Sequence, residues 1–348
     1  INYSNKMDLH QKYNLNKNIY SEYEEFIQSF EGGLFFYSLK YRSFLEELLE
    51  CESSYYVVLE NDKILAIYPM MAKNGKFGIV YNSLPFYGSH GGILSTSHEA
   101  TELLMKKINN ISSLSNTALN MHVSNLFESN SSHNFIYDIE DTRLGQITSI
   151  AFDKNAEEKL MDSFHYKTRN MIRKAQKNKI EVMIDNNAFD FLESTHKENM
   201  KAVGGKEKSS RCFKLIKKYF EPSKDYDIYV AKKDGIYISA MLVFYYNKVI
   251  EYYTPVIKVE YRSFQPLSLL IYQAMIDGSQ RDFKMWNWGG TLESQTGLYR
   301  FKNRFGAIEK KYKYFIKVNN SNMFSSTKEE LLSEYENFYV IPFERLNR

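Results

Sequence analysis

Two stretches half a chain apart restrict the fold more than anything else in this sequence. "YYVVLENDKILAIYPMMA" at 55–72 and "IYVAKKDGIYISAMLVFYY" at 228–246 each place two β-rich runs around a short polar break, the pattern of a β-hairpin. Tyr56 aligns with Tyr229, Val57 with Val230 and Ala66 with Ala240. A hairpin met twice in 348 residues makes internal duplication the reading to test first, against two ordinary hairpins alike by chance. That length suits two domains of about 150 to 200 residues, each able to bury a core.

Helix and strand signals alternate between and after these hairpins, which predicts α/β organisation with α+β layers, mixed twisted sheets flanked by helices. "SLKYRSFLEELLEC" at 38–51 reads as a Ser-capped helix with Phe44, Leu45, Leu48 and Leu49 on one face. "NKVIEYYTPVI" at 247–257 reads as a strand, followed by a helix entered near Pro266, where proline is tolerated in the first turn. "FKMWNWGG" at 283–290 and "IEKKYKYFIKV" at 308–318 read as strands, and Thr327 with Glu330 forms a capping box for a last helix.

Charge and composition exclude several classes. Hydrophobic residues at 43% and charged residues at 25% argue against disorder. A net charge of +3 is too small for a non-specific nucleic-acid binder, so no DNA is expected as partner and any basic function has to be local. Two cysteines, Cys51 and Cys212, without metal-ligand spacing, predict neither a zinc site nor a disulfide framework and suit a reducing cytoplasm. The run "ISAMLVFYY" is far shorter than the ~20 residues of a spanning helix, and "INYSNKMDLH" has no basic-then-apolar leader pattern. No transmembrane segment is expected, and the oligomeric state is open.

Local positive charge gathers in two places. Residues 155–184 predict one amphipathic helix ending near Asn178, with Leu160, Met161, Phe164, Met171, Ile172 and Ala175 on its apolar side. Arg169, Arg173 and Lys177 recur four residues apart as a stripe on another face. By itself such a stripe reads as a solvated face.

The second place is "GLYRFKNRFGA" at 297–307. As a helix it would bury Leu298, Phe301 and Phe305 and turn Arg300 and Arg304 away, leaving Lys302 at the edge of the apolar face. A half-buried ammonium needs a carboxylate or a ligand anion, unless it snorkels to water along its stem. Arg262 and Gln265 just precede the Pro266 helix, where free N–H groups favour phosphate.

"YKTRNMIRKAQKNKIEV", "FKMWNWGG" and "GLYRFKNRFGA", together with "LPFYGSHGGIL" at 84–94, resemble the Fem family (FemABX peptidyl transferases) and its FemAB-like relatives of GNAT fold. The similarity spans residues 35 to 318, and it implies two tandem GNAT-like domains. They would be an N-terminal domain at 1–150, a C-terminal domain at 151–325 carrying the main site, and a C-terminal helix at 326–348 packing on the sheet. It further implies acyl or aminoacyl transfer to an amine of a cell-envelope or surface-glycan precursor.

The implied co-substrate is an acyl-CoA, an acyl carrier or an aminoacyl-tRNA. No cofactor would be held permanently, and transient contact with a membrane surface is compatible with the reading. Two features depart from the pattern: no coiled-coil insertion is present, and "RSFQPL" stands where a GNAT pyrophosphate loop, Arg-x-x-Gly-x-Gly, would be.

Acyl transfer needs a neutral amine, an activated donor and stabilisation of a tetrahedral oxyanion. By resemblance Lys302 lies near the reacting carbonyl or an adjacent phosphate, and Arg169 and Arg173 bind phosphates. Glu251 is the candidate base or amine orienter, with Tyr252 or Tyr253 as proton relay. Arg262, Gln265, Arg300, Arg304, Trp286 and Asn287 complete the expected substrate and phosphate contacts. His90 and His196 are alternative bases, although a lone histidine is more often structural or exposed. The competing expectation is a non-catalytic nucleotide-sugar or tRNA binder with a degenerate GNAT fold.

Overall fold

The computed structural model describes residues 8–12, 17–86, 90–128 and 131–347. The expected leader reading at the first residues and part of "LPFYGSHGGIL" (87–89) lie outside them. The strands in chain order are β1 (Asp8–Lys12), β2 (Glu52–Ser53), β3 (Tyr55–Glu60), β4 (Lys63–Tyr68), β5 (Met71–Gly75), β6 (Gly78–Asn82), β7 (Leu94–Ser95), β8 (Thr117–Val123), β9 (Ile139–Ser149), β10 (Glu181–Ile184), β11 (Tyr226–Lys233), β12 (Ile236–Tyr246), β13 (Val249–Ile257), β14 (Met285–Thr291) and β15 (Ile308–Val318). The helices are α1 (Lys17–Gln28), α2 (Leu39–Leu49), α3 (His98–Ser112), α4 (Ala156–Ser163), α5 (Tyr166–Lys177), α6 (Phe189–Ala202), α7 (Ser210–Tyr219), α8 (Pro266–Gln280), α9 (Thr296–Asn303) and α10 (Lys328–Glu334).

The chain divides into two compact units, Ile1–Arg143 with Lys311–Arg348, and Leu144–Lys310. In the first, strands run in the orders β1-β3-β4-β7 and β15-β8-β6-β5-β2. β6 is parallel to β8, which requires a crossover, and α3 lies on it. Residues 314–318 of β15 close that unit antiparallel to β8. Its core gathers Tyr56, Val58, Tyr68, Leu104, Ile108 and Phe315.

In the second unit the order is β10-β11-β12-β13-β14-β9. β11, β12 and β13 form a meander, α8 crosses over, β14 runs parallel to β13, and residues 144–149 of β9 close it antiparallel to β14. α8 is apolar nearly all round, because it is covered by α4 and α5 as well as by the sheet. Hairpin, strand, helix and parallel strand thus recur in the same order in both units, the tandem GNAT-like arrangement.

The two hairpins match residue for residue. Each turns on two consecutive residues of positive φ, Asn61 and Asp62 in one, Asp234 and Gly235 in the other, the geometry that suits the right-handed twist of the strands. Each then skips one residue at the same place. Leu59 pairs with Ile64 but Val58 with Ala66, leaving out Leu65; Lys232 pairs with Tyr237 but Ala231 with Ser239, leaving out Ile238. Ala66 therefore corresponds to Ser239 and Ile67 to Ala240, one residue away from the sequence alignment.

Two expectations change. The division falls after Arg143 and after Lys310, because β9 and β15 each run across it, so residues 311–325 pack with the first unit. The C-terminal helix joins that unit too: Leu331 is buried, Thr327 Oγ1 accepts the Glu330 N–H, and Tyr335 Oη donates to the Gly78 carbonyl at 2.8 Å. The single helix expected at 155–178 is two, α4 and α5. Phe164 and His165 between them are extended, and His165 Nδ1 caps α5 by accepting the Lys167 N–H at 3.2 Å. Among the described residues no helix is long and apolar enough to cross a membrane.

Candidate active site

β13 and β14 pair over three residues only, Val249 with Met285, Ile250 with Trp286 and Glu251 with Asn287. Beyond that last pair β13 runs on to Ile257 and β14 to Thr291 without bonding to each other. The sheet therefore opens next to Glu251 and Asn287. At the vertex Asn287 Nδ2 donates to Glu251 Oε2 at 2.8 Å, while Asn287 Oδ1 accepts the Gly289 N–H at 3.1 Å. Gly289 has φ +72° in an irregularity of the β14–β9 ladder. A side chain there would meet no atom, so only the backbone conformation calls for glycine.

Glu251 is 2% exposed, and its other oxygen, Oε1, is buried without a hydrogen-bond partner. Burial pushes its carboxyl up to about 8, against the lowering effect of Asn287. A carboxyl in that range can exchange a proton with an amine near neutrality.

Lys302 is the second unusual group. It stands in α9, 3% exposed, and donates from Nζ to Thr291 Oγ1 at 2.8 Å. Among the described residues no carboxylate pairs with it, and burial alone brings its ammonium down to about 8. The expected apolar stripe of α9 is thereby rearranged: Leu298 is 41% exposed, Phe305 is buried, and Lys302 takes the inward place. The snorkelling alternative is overturned, since the ammonium ends on a hydroxyl in the interior.

Glu251 and Lys302 serve opposite faces of the sheet. Thr291 lies opposite Leu144 and Trp286 opposite Thr148, which puts both on one face, whereas Asn287 lies opposite Ile147 on the other. Trp286 and Trp288 pack on the Lys302 face with Tyr252, Phe301 and Phe305. Trp288 Nε1 donates to Thr148 Oγ1 at 2.9 Å. The gap between β13 and β14 is where the two faces communicate.

The other expected site residues scatter. Arg169 donates from Nη1 to the Phe164 carbonyl at 2.5 Å and to the Met161 carbonyl at 3.5 Å, closing the end of α4. Arg173 and Arg300 are exposed and Arg304 half-buried. Arg262 is exposed in a short 3₁₀ turn, and Gln265, at φ +61°, is the residue from which α8 starts. Trp286 is wholly buried core. Tyr253 is the residue that the β12–β13 ladder leaves out, since Val243 pairs with Tyr252 and Leu242 with Thr254. Its ring meets Phe244 edge-on. His90 is buried between the Phe36 and Tyr312 rings. His196 Nε2 accepts the Lys208 N–H at 3.0 Å, and burial lowers it to about 4.

Thr291, Thr148, Trp288 and Gly289 escaped the sequence reading. The only signal for them was the glycine pair that ends "FKMWNWGG". In the first unit the last parallel pair is Asn82 with Met121. No carboxylate stands there, and the backbone of Tyr339 seals the Asn82 amide on both sides, accepting from Nδ2 at 2.9 Å and donating to Oδ1 at 2.7 Å.

Residues 162–303 match the acetyltransferase (GNAT) domain family. No curated protein matches the chain. Among solved structures it is similar to FemX, at 14% identity with a TM-score of 0.65, covering 90% of this chain and 98% of that one. It is also similar to the C-terminal domain of a putative lysylphosphatidylglycerol synthetase from Agrobacterium fabrum (8% identity, TM-score 0.53, covering 93% and 99%). A conserved protein of unknown function from Bacteroides thetaiotaomicron is a third (8% identity, TM-score 0.54, covering 80% and 90%). At these identities the likenesses bear on the fold alone. Residues 162–303 thus match the acetyltransferase (GNAT) domain family, and the chain as a whole shares the fold of FemX.

Proposed function

We propose that the second unit transfers an acyl or aminoacyl group from an activated donor to an amine of a cell-envelope precursor. One observation carries the reading: the sheet opens at the Glu251–Asn287 vertex, with a desolvated carboxyl on one face and a desolvated ammonium on the other. A donor carbonyl in that gap would meet Lys302 Nζ, and an amine arriving from the other face would meet Glu251.

The carboxylate form of Glu251 takes a proton from the attacking amine. The amine lone pair then adds to the acyl carbon, and the oxygen that becomes negative is stabilised by Lys302 in a water-poor site. Such stabilisation is typically worth about 2.7–4 kcal/mol per donor. Collapse breaks the bond to the leaving thiol or alcohol, which carries off a proton. The N-terminus of α8, entered through Gln265 and Pro266, offers free backbone N–H groups to a donor phosphate in place of a glycine-rich loop.

The test is a panel of acyl-CoAs and aminoacyl-tRNAs, each offered with UDP-amino sugars and amine-bearing peptides. Turnover lost in Lys302→Ala with the fold retained supports the reading. Ligand binding with no turnover from any donor would favour the non-catalytic binder instead.

A further inference from the structure

Lys208 lies in the connection between α6 and α7 and is held there by its own backbone. Its N–H donates to His196 Nε2 of α6, and the next residue, Ser209, caps α7 by accepting the Cys212 N–H at 3.2 Å. The side chain leads inward. Nζ stands 4.9 Å over the Tyr253 ring and 3.5 Å from the Tyr253 carbonyl.

Tyr253 is the residue bulged out of β13, two positions beyond Glu251, a separation of about 7 Å along a strand. On its outer side Lys208 lines a groove of about 340 Å³ with Asp190, Glu193, Ser194, Lys197 and Glu207. A resident amine thus stands beside the strand that carries the carboxyl, with open space on the side from which an acyl group could approach.

Burial lowers the Lys208 ammonium to about 8. Compared with an exposed lysine near 10.4, that raises the neutral, nucleophilic fraction at pH 7 by about two orders of magnitude.

We propose that Lys208 is a self-acylation site of this transferase, taking the acyl group of a bound thioester or ester donor onto Nζ. The inference rests on the transferase reading above. The neutral amine, one N–H directed at the Tyr253 carbonyl, adds to the acyl carbon. The donor C–S or C–O bond breaks, the thiol or alcohol departs, and the proton shed by nitrogen passes to it or to solvent through the groove. The product is a stable amide, a modification that removes a positive charge from the groove, not an intermediate in turnover.

The test incubates the full chain with isotopically labelled acetyl-CoA and, in parallel, with an aminoacyl-tRNA carrying labelled amino acid. Label is quantified by peptide at Lys208 and at exposed Lys174. Label at Lys208 at least tenfold faster than at Lys174, and absent from that peptide in a folded Lys208→Arg variant, supports the site. Lys208 unlabelled, or labelled no faster than Lys174, while a free amine is acylated, overturns this inference and leaves the transferase reading standing. If no free amine is acylated and Lys208 stays unlabelled, both fall.

Discussion

Asn287 holds Glu251 through Nδ2 at 2.8 Å while the Gly289 N–H holds Asn287 through Oδ1 at 3.1 Å, so the amide has one orientation and the carboxyl one donor. The clamp joins the last residues that β13 and β14 pair. Its consequences separate a catalytic carboxyl from a structural one.

Replacing Asn287 by Ala removes the interaction that lowers the Glu251 carboxyl. The acid limb of the pH–rate profile should move to higher pH, and kcat should fall by about 10- to 100-fold, a part of the roughly 10²- to 10⁴-fold attributed to general base catalysis. A pH–rate profile unmoved by N287A would remove Glu251 from the reaction.

Glu251→Gln should stabilise the fold as it inactivates it. The folded carboxyl, near 8, binds its proton more tightly than the unfolded one at about 4.3. That preference is fully present below the unfolded value and is lost as pH rises through the folded one, so wild-type stability declines between them. Glutamine carries no such titration. Melting temperatures at pH 5 and pH 8.5 should show E251Q gaining on the wild type at the higher pH.

Lys302→Met should abolish turnover and raise the melting temperature at pH 7. The folded ammonium, near 8, is depressed below the unfolded value of about 10.4, so the penalty on the fold grows as pH falls from the unfolded value and is fully present below about 8. The stability gain should shrink at pH 10, where the wild-type lysine is neutral in the folded state. Calorimetry at the two pH values checks this, and equal melting points throughout would mean that the ammonium is not desolvated.

Arg169→Ala should behave as a structural change, since its guanidinium closes α4. The expected result is a loss of about 1–3 kcal/mol, typical for removing a charged hydrogen-bond donor, with KM for a phosphate-bearing substrate unchanged. Arg173→Ala, at an exposed position, should leave the melting point within error. A raised KM in R169A without destabilisation would restore the phosphate role.

Gly289→Ala should cost about 1–2 kcal/mol from the left-handed backbone alone, because the added methyl meets nothing. If the irregularity also positions Asn287, kcat should fall with the acid-limb shift of N287A. Destabilisation with an unchanged profile would confine Gly289 to a backbone role.

The sequence by itself determined the units of the fold. Two hairpins with polar turns, a proline-entered helix after one strand and a Ser-capped helix near the start are local patterns, fixed by β-propensity, φ preference and capping, and all of them form. It also singled out Lys302, because a cation among Leu298, Phe301 and Phe305 conflicts with helical periodicity. Even there the outcome differed, and Leu298 faces water while Lys302 is buried.

Tertiary structure decided everything that depends on which strands meet. Asn287 and Glu251 are 36 residues apart and become partners only because α8 returns the chain parallel to β13. Thr291 and Lys302 meet across the turn into α9. Arg169 looked like one stop in a cationic stripe, yet the break at Phe164 and His165 gave it two carbonyls to close. Side-chain periodicity records which face a residue occupies on its own element. Desolvation, which shifts Glu251 and Lys302 toward each other in proton affinity, depends on what the rest of the chain lays over that face.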